Sequence, residues 1–265
     1  AYLFCRASKI FFIKNKINIS PVFGHWIAEQ MPQIRGIEAI LKKFNIKDFK
    51  IITNDQVKDW QIESLQMMGY DRDKILTFKS NGIKVKNLII SSLRNTHSKS
   101  MEFDPKARNW AADRLKINFE KKNSDDNILK NICLFRQEVE SRRINNIQAV
   151  RSAIQKKGFK EVGIVNRTLQ DSSKDFYNAE RLLYTYGGGV TRAMFSKNLK
   201  ELIEIYSSDQ EKLDVNFLFA SELNINYRCI LATKLPTKSI KNYEKSYLYK
   251  DHELYEWHVP INDLL

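Results

Sequence analysis

Apolar residues recur along the chain with two spacings, one typical of helices and one of buried strands. In residues 25–44 they fall at every third or fourth position, which predicts an amphipathic helix. Further helices are predicted at 55–68, 105–119, 145–157, 172–179 and 191–197. Short apolar runs predict strands at 49–53, 74–78, 85–91, 131–135, 162–165, 182–186 and 202–206. Strands that alternate with helices at this spacing indicate an α/β protein with parallel sheets.

A polar stretch divides this pattern into two halves. Residues 120–127 carry both charge signs and lack a large apolar side chain, so they are the predicted linker. We therefore expect two Rossmann-like domains, residues 1–122 and 128–237, facing a cleft. The tail, residues 238–265, does not continue the alternation, and we expect it to pack back on the domains.

The charge of the chain points to an anionic partner. Its 265 residues include 44 Lys and Arg and 31 Asp and Glu, a net charge of +13. Nucleic acid, phosphates and acidic lipids all fit such a charge. No RRM, helix-turn-helix or zinc-finger pattern occurs, so nucleic-acid binding is the alternative and not the first hypothesis. Three widely spaced cysteines indicate a reducing compartment.

The first candidate site is the pair His25 and Glu29. The two residues are four apart, so on a helix they share one face. At a helix start the dipole disfavours imidazolium, which predicts a neutral His25 able to accept a proton. Glu29 would orient the imidazole or act as the base itself. The alternative is a packing histidine beside an exposed carboxylate.

The second and third candidates are suited to phosphate. Arg136 follows a predicted strand, and Arg142 and Arg143 precede a predicted helix capped by Asn145 or Asn146. Ligands of open α/β sheets bind beyond the carboxyl ends of strands, and the donor fork of a guanidinium matches phosphate oxygens. A glycine-rich loop then joins a strand to a helix, and its residues are Tyr186, Gly187, Gly188, Gly189, Val190, Thr191 and Arg192. Glycines let a backbone approach a ligand closely, and a helix start offers N–H groups to an anion. A solvated basic loop and a plain tight turn are the alternatives.

In their order and spacing these blocks resemble glycosyltransferase family 61, which includes many bacterial capsular-polysaccharide biosynthesis proteins. Residues 25–32 are similar to its His-Trp-x-x-Glu/Asp-x-x-Pro block, 141–146 to its Ser-Arg-Arg-x-x-Asn stretch and 186–192 to its His-Gly-Ala-Gly-Leu-Thr-Asn loop. The resemblance covers residues 24–234. Tyr186 replaces the usual His of the loop and Arg192 its usual Asn. Ser172 and Gln33 replace a usual Gln and Arg.

The resemblance implies a GT-B architecture and inverting transfer of a sugar from a nucleotide-sugar to a hydroxyl of a glycan acceptor, in surface or capsular polysaccharide synthesis. It implies no obligatory metal and no cofactor besides the donor substrate. His25 and Glu29 would be catalytic. Arg136, Arg142, Arg143 and the glycine-rich loop would bind the donor phosphates, and Glu204, expected at a strand end, its ribose. The altered loop leaves a catalytically inactive family member as an alternative.

The expected partners follow from charge and resemblance together. They are a nucleotide-sugar and a glycan or lipid-linked glycan acceptor, with no nucleic acid. No run approaches 18 apolar residues, so we expect a cytoplasmic protein that contacts the cytoplasmic face of an anionic membrane, helped by the lysines of residues 238–250.

Overall fold

A computed structural model of the chain describes residues 2–4, 23–54, 57–78, 87–90, 105–120, 129–137, 142–207, 214–235 and 256–264. The chain divides into two compact units. The first comprises Ala1–Asn123 with Thr168–Ser173, and the second Ser124–Arg167 with Lys174–Leu265. Most of the predicted linker, Ser141 and the lysine-rich stretch 238–250 lie outside the described residues.

The first unit has a four-stranded parallel sheet in the order β3-β2-β1-β4. Its strands are β1 (Tyr2–Phe4), β2 (Lys50–Asn54), β3 (Ile75–Phe78) and β4 (Leu88–Ile90). Its helices are α1 (Phe23–His25), α2 (Gln33–Lys43), α3 (Asp59–Met67) and α4 (Pro105–Glu120), with a π-helix at Trp26–Gln30. The predicted helix at 25–44 is thus three consecutive segments. In α2 the buried Ile34, Ile37 and Leu41 follow the helical spacing that predicted it.

The second unit has a six-stranded sheet in the order β10-β9-β8-β7-β5-β6, parallel except for β10. Its strands are β5 (Asn131–Leu134), β6 (Lys160–Glu161), β7 (Arg181–Thr185), β8 (Glu201–Ser207), β9 (Asn226–Leu235) and β10 (Glu256–His258). Helices α5 (Ile147–Lys156) and α7 (Asp214–Glu222) accompany them, with 3₁₀ helices at Gly188–Phe195 and Ile261–Asp263. Helix α6 (Leu169–Tyr177) is divided, with residues 169–173 in the first unit and 174–177 in the second. Both sheets confirm the predicted α/β class.

One core of the second unit lies between its sheet, α5 and the end of the chain. Leu183 and Ile203 from neighbouring strands pack there with Val150 of α5 and with Trp257 of β10, all fully buried. Gly158 ends α5 as predicted, because its φ of +76° reverses the backbone where other residues would be strained. The tail therefore contributes a fully buried tryptophan to this core.

Two predicted elements are wrong. The strand predicted at 162–165 lies earlier, at Lys160–Glu161, where it pairs with β5. Val165, which the prediction placed in the strand, is half exposed and pairs with no strand. The helix predicted at 191–197 is the 3₁₀ helix Gly188–Phe195, which begins inside the glycine run. The sequence analysis also missed α7 and the strands β1, β9 and β10. Two apolar neighbours in α7, Phe217 and Leu218, are both exposed, so its apolar residues do not mark one helix face.

Candidate functional site

The strand order of the second unit defines a topological switch point between β5 and β7. From β5 the chain moves outward to β6 on one side and returns to β7 on the other. Ligands of open α/β sheets bind outside the carboxyl ends of the strands at such a point. Arg136 follows the carboxyl end of β5, and Tyr186 follows that of β7. The fold thus places one predicted arginine and the glycine-rich loop at this point.

Gly187 brings two of the predicted arginines to the loop. Its φ of +148° is a backbone conformation that favours glycine. A Cβ at Gly187 would lie 2.6 Å from Nη1 of Arg136 and 3.4 Å from Nη1 of Arg142. Two guanidinium groups therefore converge on one backbone position.

Arg142 is held by more contacts than a surface arginine usually makes. It is buried and adopts a positive φ of +60°, which non-glycine residues rarely do. Its Nη1 donates to the backbone oxygen of Tyr186 at 3.2 Å, and its guanidinium lies 5.3 Å from the ring centroid of Tyr186. The Tyr186 ring packs edge-on against Tyr206, with centroids 4.7 Å apart. This stack fixes the arginine on the loop.

The rest of the glycine-rich loop is tightly packed. A Cβ at Gly189 would lie 2.9 Å from Cδ2 of Leu134, the last residue of β5. The Val190 N–H donates to the Gly187 oxygen at 3.1 Å, and the Thr191 hydroxyl to the Gly188 oxygen at 2.8 Å. The loop is therefore held against the strand that carries Arg136.

The other predicted donor residues are placed differently. Arg192 is buried, and its guanidinium lies 5.7 Å from the Phe176 ring, so it stacks on α6. Arg143 is half-buried, and its backbone oxygen accepts a hydrogen bond from Trp257. Asn146 precedes α5, but its side chain makes no cap and instead contacts the backbone of Val259.

Glu204 does not lie at a strand end, as predicted, but in the middle of β8, where it is fully buried. Its carboxylate accepts hydrogen bonds from Nδ2 of Asn216 at 2.6 Å and from the Tyr227 hydroxyl at 2.5 Å. Burial raises the pKa of Glu204 to about 7, against the opposing effect of these hydrogen bonds. Both oxygens of the Glu204 carboxylate are hydrogen-bonded inside the unit, and the residue is fully buried. Glu204 is therefore not placed to contact a ribose.

In the first unit His25 and Glu29 do meet. Nδ1 of His25 is hydrogen-bonded to Oε1 of Glu29, and the His25 side chain is 49% exposed while that of Glu29 is 20% exposed. The hydrogen bond raises the pKa of His25, although partial burial opposes it. The prediction that the helix dipole would keep His25 neutral is therefore wrong in direction. The hydrogen bond to the Glu29 carboxylate, four residues away, is the largest cause of the raised pKa.

The helix that carries this pair is locally distorted. The Met31 N–H donates to the Trp26 oxygen at 3.0 Å, the i to i+5 bond of a π-helix. Such π-segments are frequent at functional sites. Trp26 is buried, and its Nε1 donates to the Ser64 hydroxyl at 2.8 Å while its ring packs edge-on against Trp60. This anchoring fixes the backbone from which His25 and Glu29 project.

Two residues near the switch point were missed by the sequence analysis. Oγ1 of Thr185, at the end of β7, and Nε2 of Gln137, just after Arg136, are buried with no hydrogen-bond partner among the described residues. Buried polar atoms are almost always paired, so both are candidates to bond a ligand or a water molecule. Their only sequence signal was a position close to the carboxyl end of a predicted strand.

Within the described ranges, no three His, Cys, Asp or Glu side chains lie close enough together to hold a metal ion. In the same ranges, no helix combines the length and the apolar character needed to cross a bilayer.

The second unit thus carries two arginines and a glycine-rich loop at the place where open α/β sheets bind their ligands. Residues 23–203 match the family model described as Glycosyltransferase 61, which covers more than half of the chain. The chain therefore belongs to glycosyltransferase family 61, and the predicted family is confirmed. It belongs to a class of enzymes that transfer a sugar from a donor to an acceptor. No curated protein matches the chain.

Proposed function

We propose that the protein is an inverting glycosyltransferase that moves a sugar from a nucleotide-sugar to a hydroxyl of a glycan acceptor in surface polysaccharide synthesis. The observation that carries the proposal is the convergence of Arg136 and Arg142 on Gly187 at the switch point. The diphosphate of the donor would bind there. Because negative charge gathers on the leaving nucleoside diphosphate, fixed guanidinium groups stabilise the transition state more than the ground state.

The acceptor hydroxyl needs a base. In the proposed step its oxygen attacks the anomeric carbon, the bond from that carbon to the phosphate oxygen breaks, and the diphosphate leaves with the electron pair. Nδ1 of His25 is engaged by Glu29, so Nε2 is the nitrogen that takes the acceptor proton. The exposure of His25 suits contact with a glycan. The reverse assignment, with Glu29 as base and His25 as its support, uses the same hydrogen bond.

We further propose a GT-B architecture, with the two units facing a cleft and the donor held by the second. The presence of a separate sheet in each unit, parallel except for β10, supports it. Transfer would need no metal, since the described guanidinium groups supply the positive charge at the diphosphate.

A specific surface of the first unit supports the proposed membrane contact and a cytoplasmic, membrane-face location. Ile40 and Phe44, one turn apart at the end of α2, are 38% and 62% exposed. Lys42, Lys43 and Lys47 around them are exposed as well. Apolar side chains within a basic cluster suit an anionic bilayer, where each Lys contributes about 1 kcal/mol.

Sedimentation with vesicles tests this membrane contact. Acidic vesicles at low salt should bind the protein and neutral vesicles should not, and Phe44→Ser should weaken the binding. Val165→Ser removes a half-exposed apolar side chain from the other unit and should bind as the wild type does. Equal binding to acidic and neutral vesicles would contradict the proposed contact with an anionic membrane.

A thermal-shift panel of nucleoside diphosphates, nucleosides and a short DNA duplex tests the main proposal. A nucleoside diphosphate at about 100 times its dissociation constant should stabilise the protein by about 2.7 kcal/mol. The matching nucleoside should do much less. Transfer or hydrolysis of the matching nucleotide-sugar separates an active enzyme from an inactive relative. Stabilisation by DNA alone would favour nucleic-acid binding instead.

A further inference from the structure

Strand β10 is attached to residues 142–146, the segment that contains Arg142 and Arg143 and precedes α5. Ile144 of that loop forms a parallel bridge with Trp257 of β10. The Trp257 N–H donates to the Arg143 oxygen at 2.8 Å, and the Asn145 N–H donates to the Trp257 oxygen at 3.0 Å. A strand more than 100 residues away thus pairs with the loop immediately after Arg142.

Asn146 closes this attachment with its side chain. Its Nδ2 donates to the Val259 oxygen at 2.8 Å, and its Oδ1 accepts the Val259 N–H at 3.1 Å. An asparagine amide satisfies a backbone oxygen and a backbone N–H of one residue at once, whereas a carboxylate can only accept and so leaves the backbone oxygen without its donor. Val259 is itself fully buried in the core described above, so the anchor is rigid.

Arg142 needs such support. Its φ of +60° is rarely adopted by a residue with a side chain, and it persists only where the surroundings hold it. Preorganised charges bind and stabilise an anion better than charges that must be ordered on binding. The attachment holds residues 143–146, directly after Arg142, against the buried residues Trp257 and Val259.

We propose that Asn146 and the backbone of residues 257–259 position Arg142 for the diphosphate, so that the C-terminal segment is a working part of the donor site. Asn146 is then a positioning residue and touches no substrate. This inference rests on the proposed function. The matched family residues end at position 203, so the supporting segment lies outside them.

Calorimetric titration of inorganic pyrophosphate into the full chain tests this inference. Asn146→Ala should weaken pyrophosphate affinity about fivefold to twentyfold, because Arg142 is no longer held in its strained conformation. Asn146→Asp keeps the acceptor but loses the donor, and its affinity should fall between that of Ala and the wild type. If the Ala variant does not fold, the pyrophosphate affinity of the Asp variant tests the inference by itself.

Two controls separate positioning from a general loss of stability. Asn145→Ala changes the neighbouring asparagine, which makes a side-chain contact with Nδ1 of His258 at 3.1 Å, and should leave affinity within about twofold. Glu201→Gln weakens hydrogen bonds from Arg181 and Arg228 in the same sheet, and should lower the melting temperature without lowering affinity.

The outcomes distinguish the inference from the function on which it rests. If Arg136→Ala weakens pyrophosphate binding and both Asn146 variants bind as the wild type does, the positioning role is wrong and the donor site stands. If Glu201→Gln weakens binding as much as Asn146→Ala at equal melting temperature, the effect is stability alone and the inference is also wrong. If the wild-type protein binds neither pyrophosphate nor any nucleoside diphosphate, the proposed function falls and the inference with it.

Discussion

His25 and Glu29 lie four residues apart on one continuous helical stretch. Arg136 and Arg142 instead come from the connection between β5 and α5, and Gly187 from the loop after β7. The first pair is partly exposed and needs only local geometry to meet. The second group is assembled by strand order and packing, and Arg142 is buried. A local, exposed pair suits a base that must reach a large acceptor. A packed cluster suits charges that must stay fixed while a leaving group departs.

The largest effect that this comparison predicts is on turnover. His25→Ala should lower kcat by about 10²–10⁴ and leave nucleoside diphosphate affinity unchanged, because only the proton acceptor is lost. Steady-state kinetics and calorimetry on the same preparation measure both. Glu29→Gln should keep part of the activity, since an amide oxygen still accepts a hydrogen bond from His25. If Glu29→Gln abolishes transfer and His25→Ala is mild, the two roles are reversed.

The next effect is on donor affinity. Arg136→Ala and Arg142→Ala should each weaken nucleoside diphosphate binding about tenfold to a hundredfold, since a hydrogen bond to a charged group contributes roughly 1.5–3 kcal/mol. Nucleoside binding should hardly change. Arg151→Ala is the matched control, because Arg151 is paired with Glu161 on the surface of the same unit and its loss removes one positive charge. An equal loss in all three variants would mean that bulk charge alone attracts the ligand.

Gly187→Ala should disturb the packed cluster without removing a charge. The new Cβ would meet Nη1 of Arg136 at 2.6 Å in a backbone conformation unsuited to alanine, which costs about 1–3 kcal/mol of stability. Diphosphate affinity should fall as Arg136 moves. Gly163→Ala is the control, because no atom lies within 4 Å of its Cβ position. Equal melting temperatures and affinities for the two variants would show that Gly187 is not needed for close approach.

The smallest effect is a displacement of the pH profile. Turnover should rise with pH as His25 loses its proton, because only neutral imidazole accepts one. Since Glu29 raises the pKa of His25, the midpoint of this rise should lie above the ordinary histidine value of 6.5. Glu29→Gln removes the carboxylate and should move the midpoint to lower pH. If the midpoint is the same in Glu29→Gln as in the wild type, the group that titrates in the pH profile is not the His25–Glu29 pair.

Most helices and strands, the α/β class and the contact between His25 and Glu29 could be predicted from the sequence, because each depends on spacing within a few residues. The exceptions have physical reasons. The strand at Lys160–Glu161 is only two residues long and exposed, so it leaves no apolar pattern. Glu204 was assigned to a strand end, where a carboxylate could reach a ligand. The sequence does not show that its hydrogen-bond partners, Asn216 and Tyr227, lie beside it inside the protein.

The sequence by itself determined the charge of +13, the order of helices and strands, the pairing of His25 with Glu29 and the resemblance that the family match confirms. Only the tertiary structure decided that Arg136 and Arg142 meet at Gly187, while Arg192 turns to Phe176. It alone decided that Asn146 holds the backbone of Val259. Periodicity is a local property of the chain, whereas these contacts depend on which strands become neighbours, and residues far apart in sequence carry no mark of that choice.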